Sequence, residues 1–443
     1  MDTELAMSAA RVAGSVALLV MILWGVSRLS PRLGLAPEIG RKAIHVSLGL
    51  YCLSFPWLFA SPWEVTATCV LAVAVFAVAR GRLRGQLGEA LHAVERSSYG
   101  EVLFAVSVAL LFWLKEGHYI TVLERGQPAL GPVLYVLPLA MLTLCDAASA
   151  LVGSAYGRRT FRIERGRKSW EGVAVFVGTG WLLSMIVYLL LTDIGRGELI
   201  LLAFITAVFG ALLEAASWRG LDNLFIPLGL YFLLSSLGHL GVWGLSAVSA
   251  LFLVALVVLL ILTQRSHQSR HLVATFAVLF FLIAAFSGVD SLLTPVLAVG
   301  AYALCARRLQ PTPPPHDPLN LIVVIVAIAL TFFVVSHIAR VNTIFAFNVA
   351  FACLAAGIVA RFDAPLRTVI AAAVIAMAAM AIRIVVREGG RSDALVFFAL
   401  GGACVIVVTS LAWRLRGRDF TTPWAYLGGA CTVMGLMALP ASP

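Results

Sequence analysis

Apolar runs of about 20 residues, the length that crosses a bilayer as a helix, recur along the whole of this 443-residue chain. In the first half they fall at roughly 7–29, 42–60, 63–80, 99–114, 129–153, 171–192, 198–216 and 224–240. In the second half they fall at roughly 243–263, 271–288, 291–306, 319–338, 341–360, 366–386, 394–413 and 423–440. Only helices and closed barrels satisfy their own backbone groups inside a membrane. A barrel would alternate polar and apolar residues in segments of about 10, and no such pattern is present. The predicted fold is all-α, a polytopic transmembrane helix bundle of about sixteen spans. Asp2 and Glu4 precede the first run and no cleavage-site pattern follows, so that run reads as a transmembrane helix rather than a removed signal.

Composition agrees: 61% of residues are hydrophobic and 12% charged, against about 25% charged in soluble domains. The formal charge of +10 points to basic cytoplasmic loops and anionic headgroups. Nucleic acid is excluded as a partner, because no soluble basic domain exists to carry it. The seven cysteines are scattered through apolar runs with no Cys-x-x-Cys pair, which suggests neither a disulfide framework nor a zinc site. Arg28, Arg32, Arg41 and Lys42 flank one loop, Arg80, Arg82, Arg84 and Arg96 mark another, and residues 158–168 a third. With the N-terminus outside, all three lie on one side, and the positive-inside rule makes that side the cytoplasm. Arg383, Arg387 and Arg391 break the pattern. Prolines at 311, 313, 314, 315 and 318 form a stiff linker. A softer boundary lies near 240, beyond which polar residues are sparse.

The candidate chemistry centres on residues 146–172. Asp146 ends an apolar segment, small residues follow, and a loop carries Arg158, Arg159, Arg162, Arg165, Arg167 and Lys168. Ser169, Glu171 and Gly172 then open the next span. An acid able to hold a divalent cation beside a basic, glycine-containing loop suits a polyphosphate–metal site. The arginines alone would equally serve as a topology signal. Asp146, Ala150, Gly153 and Gly157 share a helix face, a stripe that suits close helix packing as well as room for a ligand. Ser169 is a credible N-cap, where a phosphate would meet unpaired backbone N–H groups.

Three further sets lie at span ends. Arg41, Lys42, His45 and Gly49 share one face of the second span; two cations and an imidazole there would grip phosphate, and Gly49 would let another backbone approach. Arg96 and Glu101 flank the start of the fourth span, where the helix dipole alone would also account for the acid. Glu214, Asp222 and Asn223 with Pro227 link the seventh and eighth spans, as metal or hydroxyl ligands or as an ordinary capped turn.

Arg41-Lys-x-x-His45, Asp146-Ala-Ala-x-Ala-x-x-x-Gly153-x-x-x-Gly157, Lys168-Ser-x-Glu-Gly172 and Asp222-Asn223-x-x-x-Pro227 resemble, in order and loop side, the CTP-dependent lipid-alcohol kinases. These are the dolichol kinase, phytol kinase and yeast-type diacylglycerol kinase group, related to the membrane cytidylyltransferases. The Ser-Tyr-Gly-Glu101 start of the fourth span is similar to that group too. The resemblance covers residues 38–240, which would form the catalytic domain 1–240. It implies phosphoryl transfer from a nucleoside triphosphate, CTP, to a lipid alcohol such as phytol, another prenol or dolichol, with Mg²⁺. Asp146 and Asp222 would hold the metal, and Lys168, Arg41 and Lys42 would neutralise phosphate charge. Glu101, Glu214 or His45 would orient or deprotonate the hydroxyl; the sequence does not choose among them. Residues 241–443 carry no such match, and read as an accessory transmembrane domain for lipid handling or homodimerisation. Two rivals stand beside the kinase: a cytidylyltransferase making a CDP-lipid, and a non-enzymatic lipid transporter. A transporter would show repeat symmetry and broken midplane helices, whereas here the charges gather at the cytoplasmic ends.

Overall fold

A computed structural model describes residues 2–82, 100–124, 131–163, 166–218, 220–237, 240–262, 270–308, 318–362, 364–388, 394–415 and 423–439. Arg96, the prolines at 311–315 and Asp363 lie outside the described residues. The chain divides into two compact units, Met1–Val278 and Leu279–Pro443. That division falls later than the expected position near 240.

The first unit holds α1 (Asp2–Arg32), α2 (Pro37–Leu53), α3 (Phe55–Leu58), α4 (Pro62–Arg82), α5 (Gly100–Glu124), α6 (Val133–Ala140), α7 (Asp146–Tyr156), α8 (Trp170–Leu191), α9 (Arg196–Ala216), α10 (Asp222–Leu237) and α11 (Gly241–Leu262). The next helix, α12 (Arg270–Ser287), contains the division point. The second unit holds α13 (Leu293–Arg308), α14 (Pro318–Ala339), α15 (Ile344–Arg361), α16 (Leu366–Glu388), α17 (Ala394–Arg414) and α18 (Pro423–Met437). Most expected runs correspond to one of these rods with ends displaced by a few residues; the run 42–60 divides into α2 and α3, and the run 99–114 extends to Glu124 in α5. Among the described residues, nine helices are long and apolar enough to cross a membrane, and four more are apolar but shorter. Leu182, Ile186, Leu189 and Leu190 of α8 stay exposed, as side chains that face lipid rather than water do.

α6 and α7 form one rod, joined by a five-residue π-helical turn, Met141–Cys145. A π-turn inserts one extra residue and often marks a functional segment. This rod is the core of the unit: Val133, Leu134, Tyr135, Leu137, Met141 and Leu142 are fully buried. α8 and α9 pack beside it. A Cβ at either Gly180 or Gly210 would lie 2.8 Å from Met141 Cε, so those two glycines make the slot into which Met141 inserts. Tyr188 Oη and Thr206 Oγ1 share a hydrogen bond of 3.1 Å across the α8–α9 seam.

The basic segment after α7 departs from the all-α plan. It folds as an antiparallel hairpin, β1 (Thr160–Ile163) with β2 (Gly166–Ser169), Phe161 opposite Lys168 and Arg162 opposite Arg167. Thr-Phe-Arg-Ile alternates exposed and half-buried positions, the period of a strand. Phe161 lies against Trp170, and the Trp170 N–H closes the hairpin onto Arg159 O at 2.9 Å.

The second unit is built around α15, which is buried along nearly its whole length and packs against α13, α14, α16, α17 and α18. Small residues permit this: a Cβ at Gly435 would lie 2.8 Å from Ala346 O. Of the isolated polar residues of this half, Asn348 is buried and accepts from Thr294 Oγ1 at 2.8 Å, and His337 donates to Phe333 O at 3.1 Å. Both are satisfied within the helical packing.

Candidate active site

Three predicted segments meet at the π-turn. Gly49 of α2 lies directly over Thr143: a Cβ there would fall 2.3 Å from Thr143 Oγ1, so only glycine allows α2 so close. That approach brings Lys42, two turns earlier, onto Asp146. Lys42 Nζ donates to Asp146 Oδ2 at 2.6 Å, and the two side chains are only 6% and 7% exposed. His45 reads the distortion itself. The Asp146 N–H bonds back to Met141 O, five residues earlier. In an α-helix it would bond to Leu142 O. Leu142 O instead accepts from His45 Nε2 at 3.3 Å. With that nitrogen donating, a neutral imidazole keeps Nδ1 as its acceptor. Phe104 of α5 packs edge-on against the ring at 5.4 Å.

The hairpin delivers a second ion pair. Lys168 on β2 donates to Glu214 Oε1 of α9 at 2.8 Å and also to the Glu214 backbone carbonyl. The two pairs share one electrostatic environment. Asp146 feels Lys42, His45 and Lys168. Asp222, at the first turn of α10, feels Asp146, Lys168, Lys42 and His45. Glu214 feels Lys168, Asp146 and Asp222. Six titratable groups from α2, α7, β2, α9 and α10 thus form one cluster. Asn223 beside them is buried; its Nδ2 donates to Gly220 O at 3.2 Å, while its Oδ1 has no partner among the described residues.

The remaining predicted residues stand apart or do other work. Arg41 is exposed while its neighbour Lys42 is buried, so the shared face splits at its rim. Glu101 is exposed on the first turn of α5. Ser169 is the N-cap of α8 as expected, accepting from the Gly172 N–H at 3.1 Å. The room that Gly153 and Gly157 leave is filled by that same serine: a Cβ on either would come within 2.9 Å of a Ser169 side-chain atom. Gly172 lies against Ser149 O, where a Cβ would be 3.0 Å away. The small-residue stripe therefore packs α7 on the start of α8. Glu171 is half-buried, and its carboxylate accepts the Arg159 N–H at 3.1 and 3.3 Å, bracing the hairpin. Among the described residues no three His, Cys, Asp or Glu side chains converge as a metal cage. Thr143 went unpredicted; its Oγ1 is buried with no partner, and the signal was a hydroxyl in an apolar run three residues before the acid.

A polytopic helical bundle with a buried cluster of carboxylates and ammonium groups is an integral membrane protein with an enzyme-like site, since intramembrane charge is costly without a function. The chain is 32% identical, over 205 residues, to the phytol kinase of Synechocystis sp. (strain ATCC 27184 / PCC 6803 / Kazusa), a match covering 46% of this chain and 81% of that protein. The chain belongs to the lipid-alcohol kinase family. No family model matches it, and no solved structure does.

Proposed function

We propose that the cluster transfers the γ-phosphoryl group of CTP to the hydroxyl of phytol or a related prenol entering sideways from the bilayer. The observation that carries this reading is the single environment joining the Lys42–Asp146 and Lys168–Glu214 pairs to Asp222. Phosphoryl transfer asks for positioning and charge neutralisation more than for covalent chemistry by the protein. The lipid oxygen bonds to the γ-phosphorus, the bond from that phosphorus to the bridging oxygen breaks, CDP leaves, and the hydroxyl proton passes to a base. Lys42 and Lys168 turn from carboxylates to phosphate oxygens as the nucleotide arrives. Glu214 and His45 are the cluster members available to orient the hydroxyl or take its proton. Arg41 at the exposed rim draws the triphosphate in.

The oxygen donors are of the kind a hard divalent cation takes, without forming a three-ligand cage among the described residues. Asp146 is paired with Lys42 and Glu214 with Lys168, and Asp222 lies in the same electrostatic environment. The idle Oδ1 of Asn223 adds a neutral oxygen. Mg²⁺ typically takes one or two carboxylates and completes its shell with water and phosphate. Asp146 and Asp222 would hold it, and it would supply charge neutralisation at the β- and γ-phosphates. The basic loops support a cytoplasmic face for this side.

The test is incubation of membranes carrying the chain with labelled CTP, ATP, UTP or GTP and with phytol, farnesol, dolichol or diacylglycerol. CDP and a prenyl monophosphate are expected. Pyrophosphate and a CDP-lipid would establish the cytidylyltransferase reading instead, and turnover with diacylglycerol alone would refute the prenol assignment.

A further inference from the structure

The second unit contains a charge that its own fold leaves unsatisfied. Arg361 ends α15 and is 7% exposed. Its Nη1 donates to Leu415 O at 2.8 Å, just past the end of α17. Among the described residues its Nε and Nη2 have no hydrogen-bond partner. A guanidinium stays charged and presents five N–H bonds in a planar fork, of which these two nitrogens carry three. A capping role explains only the bond to Leu415. Burying the rest of the fork unpaired is costly unless an anion reaches it.

The surroundings say what kind of anion. Arg361 lines a small cleft of about 50 Å³ that opens to the surface. The walls are Val408, Leu411 and Ala412 from α17 and Leu427 and Ala430 from α18, with the exposed Tyr426 at hand. Arg361 is the charged member of that lining. Gly357, one turn before Arg361, keeps α15 close beneath the cleft: a Cβ there would meet Leu427 Cδ1 at 2.7 Å and Val408 Cγ1 at 3.4 Å. Arg367 in the first turn of α16 and Arg414 at the end of α17 are exposed at the same end of the unit. A fork of N–H donors at the head of an apolar trough, with further cations at the same end of the unit, matches an amphiphile: a phosphate head on an apolar chain.

We propose that this cleft binds an anionic phospholipid, its phosphate on Nε and Nη2 of Arg361 and its chain against α17 and α18. The test is native mass spectrometry of the full chain, released from neutral phosphatidylcholine nanodiscs and titrated with phosphatidate. Phosphatidylcholine and inorganic phosphate are separate arms. One phosphatidate retained in preference to phosphatidylcholine is expected. Arg361→Gln should weaken its binding about tenfold, equivalent to about 1.4 kcal/mol. Arg361→Lys, which keeps charge but not the fork, should recover part of that loss. Ala430→Phe should block the chain and weaken binding about as much with Arg361 intact. Circular dichroism and melting decide which variants are folded; if Arg361→Gln is not, the lysine and phenylalanine variants decide. Unchanged affinity in the folded variants, equal retention of phosphatidylcholine, or displacement by equimolar inorganic phosphate would each overturn the proposal.

Discussion

Replacing Lys42 by methionine removes the ammonium of the most buried ion pair in the first unit's cluster and keeps most of its volume. The Asp146 carboxylate, 7% exposed and 2.6 Å from Lys42 Nζ, is then left as an uncompensated interior charge. Breaking such a pair from one side costs about 3–5 kcal/mol. At roughly 2 °C of melting temperature per kcal/mol for a unit of this size, the midpoint in detergent should fall by about 6–10 °C. Asp146→Asn should cost less, because the amide keeps the shape and leaves Lys42 free to reach Glu214 or Asp222 in the same environment. The double change Lys42→Met, Asp146→Asn removes both charges and should regain most of the stability lost by Lys42→Met alone. Phosphoryl transfer should not return with it, since both groups are proposed to face the nucleotide and metal. The assay is a thermal melt of the three variants beside a turnover measurement at saturating nucleotide and Mg²⁺. If Lys42→Met melts with the wild type, or the double change is no more stable than it, the pair is not the buried contact described. Near-normal turnover in Asp146→Asn would refute its assignment as a metal ligand.

Other perturbations separate chemistry from packing. Glu214→Gln should lower kcat by about 10²-fold or more if Glu214 is the base, with folding retained because Lys168 still donates to the Glu214 backbone carbonyl; an unchanged kcat passes that role to His45. Gly49→Ala should destabilise the unit by about 1–3 kcal/mol, since its Cβ would overlap Thr143 Oγ1; a melt within about 1 °C of the wild type would show that α2 does not lie so close. Ser169→Ala should cost about 1 kcal/mol through the lost cap, whereas Glu171→Gln should leave nucleotide affinity within about twofold. A chain ending at 278 should retain kinase activity better than one ending at 240, and equal activities measured per folded molecule would restore the earlier boundary.

That boundary shows what hydropathy can and cannot reveal. The rods were legible because a run of apolar residues must pair its own backbone in a bilayer. The unit to which a rod belongs depends on which faces meet. Phe252 of α11 lies against Phe209 of α9 at 5.4 Å, and His271 of α12 against Trp218 at 6.2 Å. Both helices look featureless by composition, yet α11 belongs wholly to the first unit and α12 in its first half. At the site, acids and bases stranded at span ends were visible because intramembrane charge is rare. Facing was not visible. Arg41 and Lys42 are neighbours in sequence but lie on opposite sides of a burial boundary. Glu171 shares a motif with Lys168 yet braces the hairpin instead of entering the cluster. The hairpin itself had a readable strand period in Thr-Phe-Arg-Ile, masked by the weight of arginine around it.

The π-turn was the one feature no periodicity argument could supply, and it makes the rest of the site geometrically consistent. Met141 inserts between Gly180 of α8 and Gly210 of α9, and Gly153 packs on Ser169 and Gly172 at the start of α8. Both therefore face the same neighbour, although they stand 153 − 141 = 12 residues apart. At about 100° per residue, twelve steps leave them about 120° out of line on a regular α-helix. One inserted residue makes twelve steps act as eleven, and the misalignment falls to about 20°. The same insertion frees the Leu142 carbonyl that His45 takes, and it lies between Thr143, against which Gly49 packs, and Asp146, which Lys42 grips. The distortion is the means by which one rod turns both Met141, where the π-turn begins, and Gly153, beyond it, toward α8, while the carbonyl it frees is taken by His45 of α2.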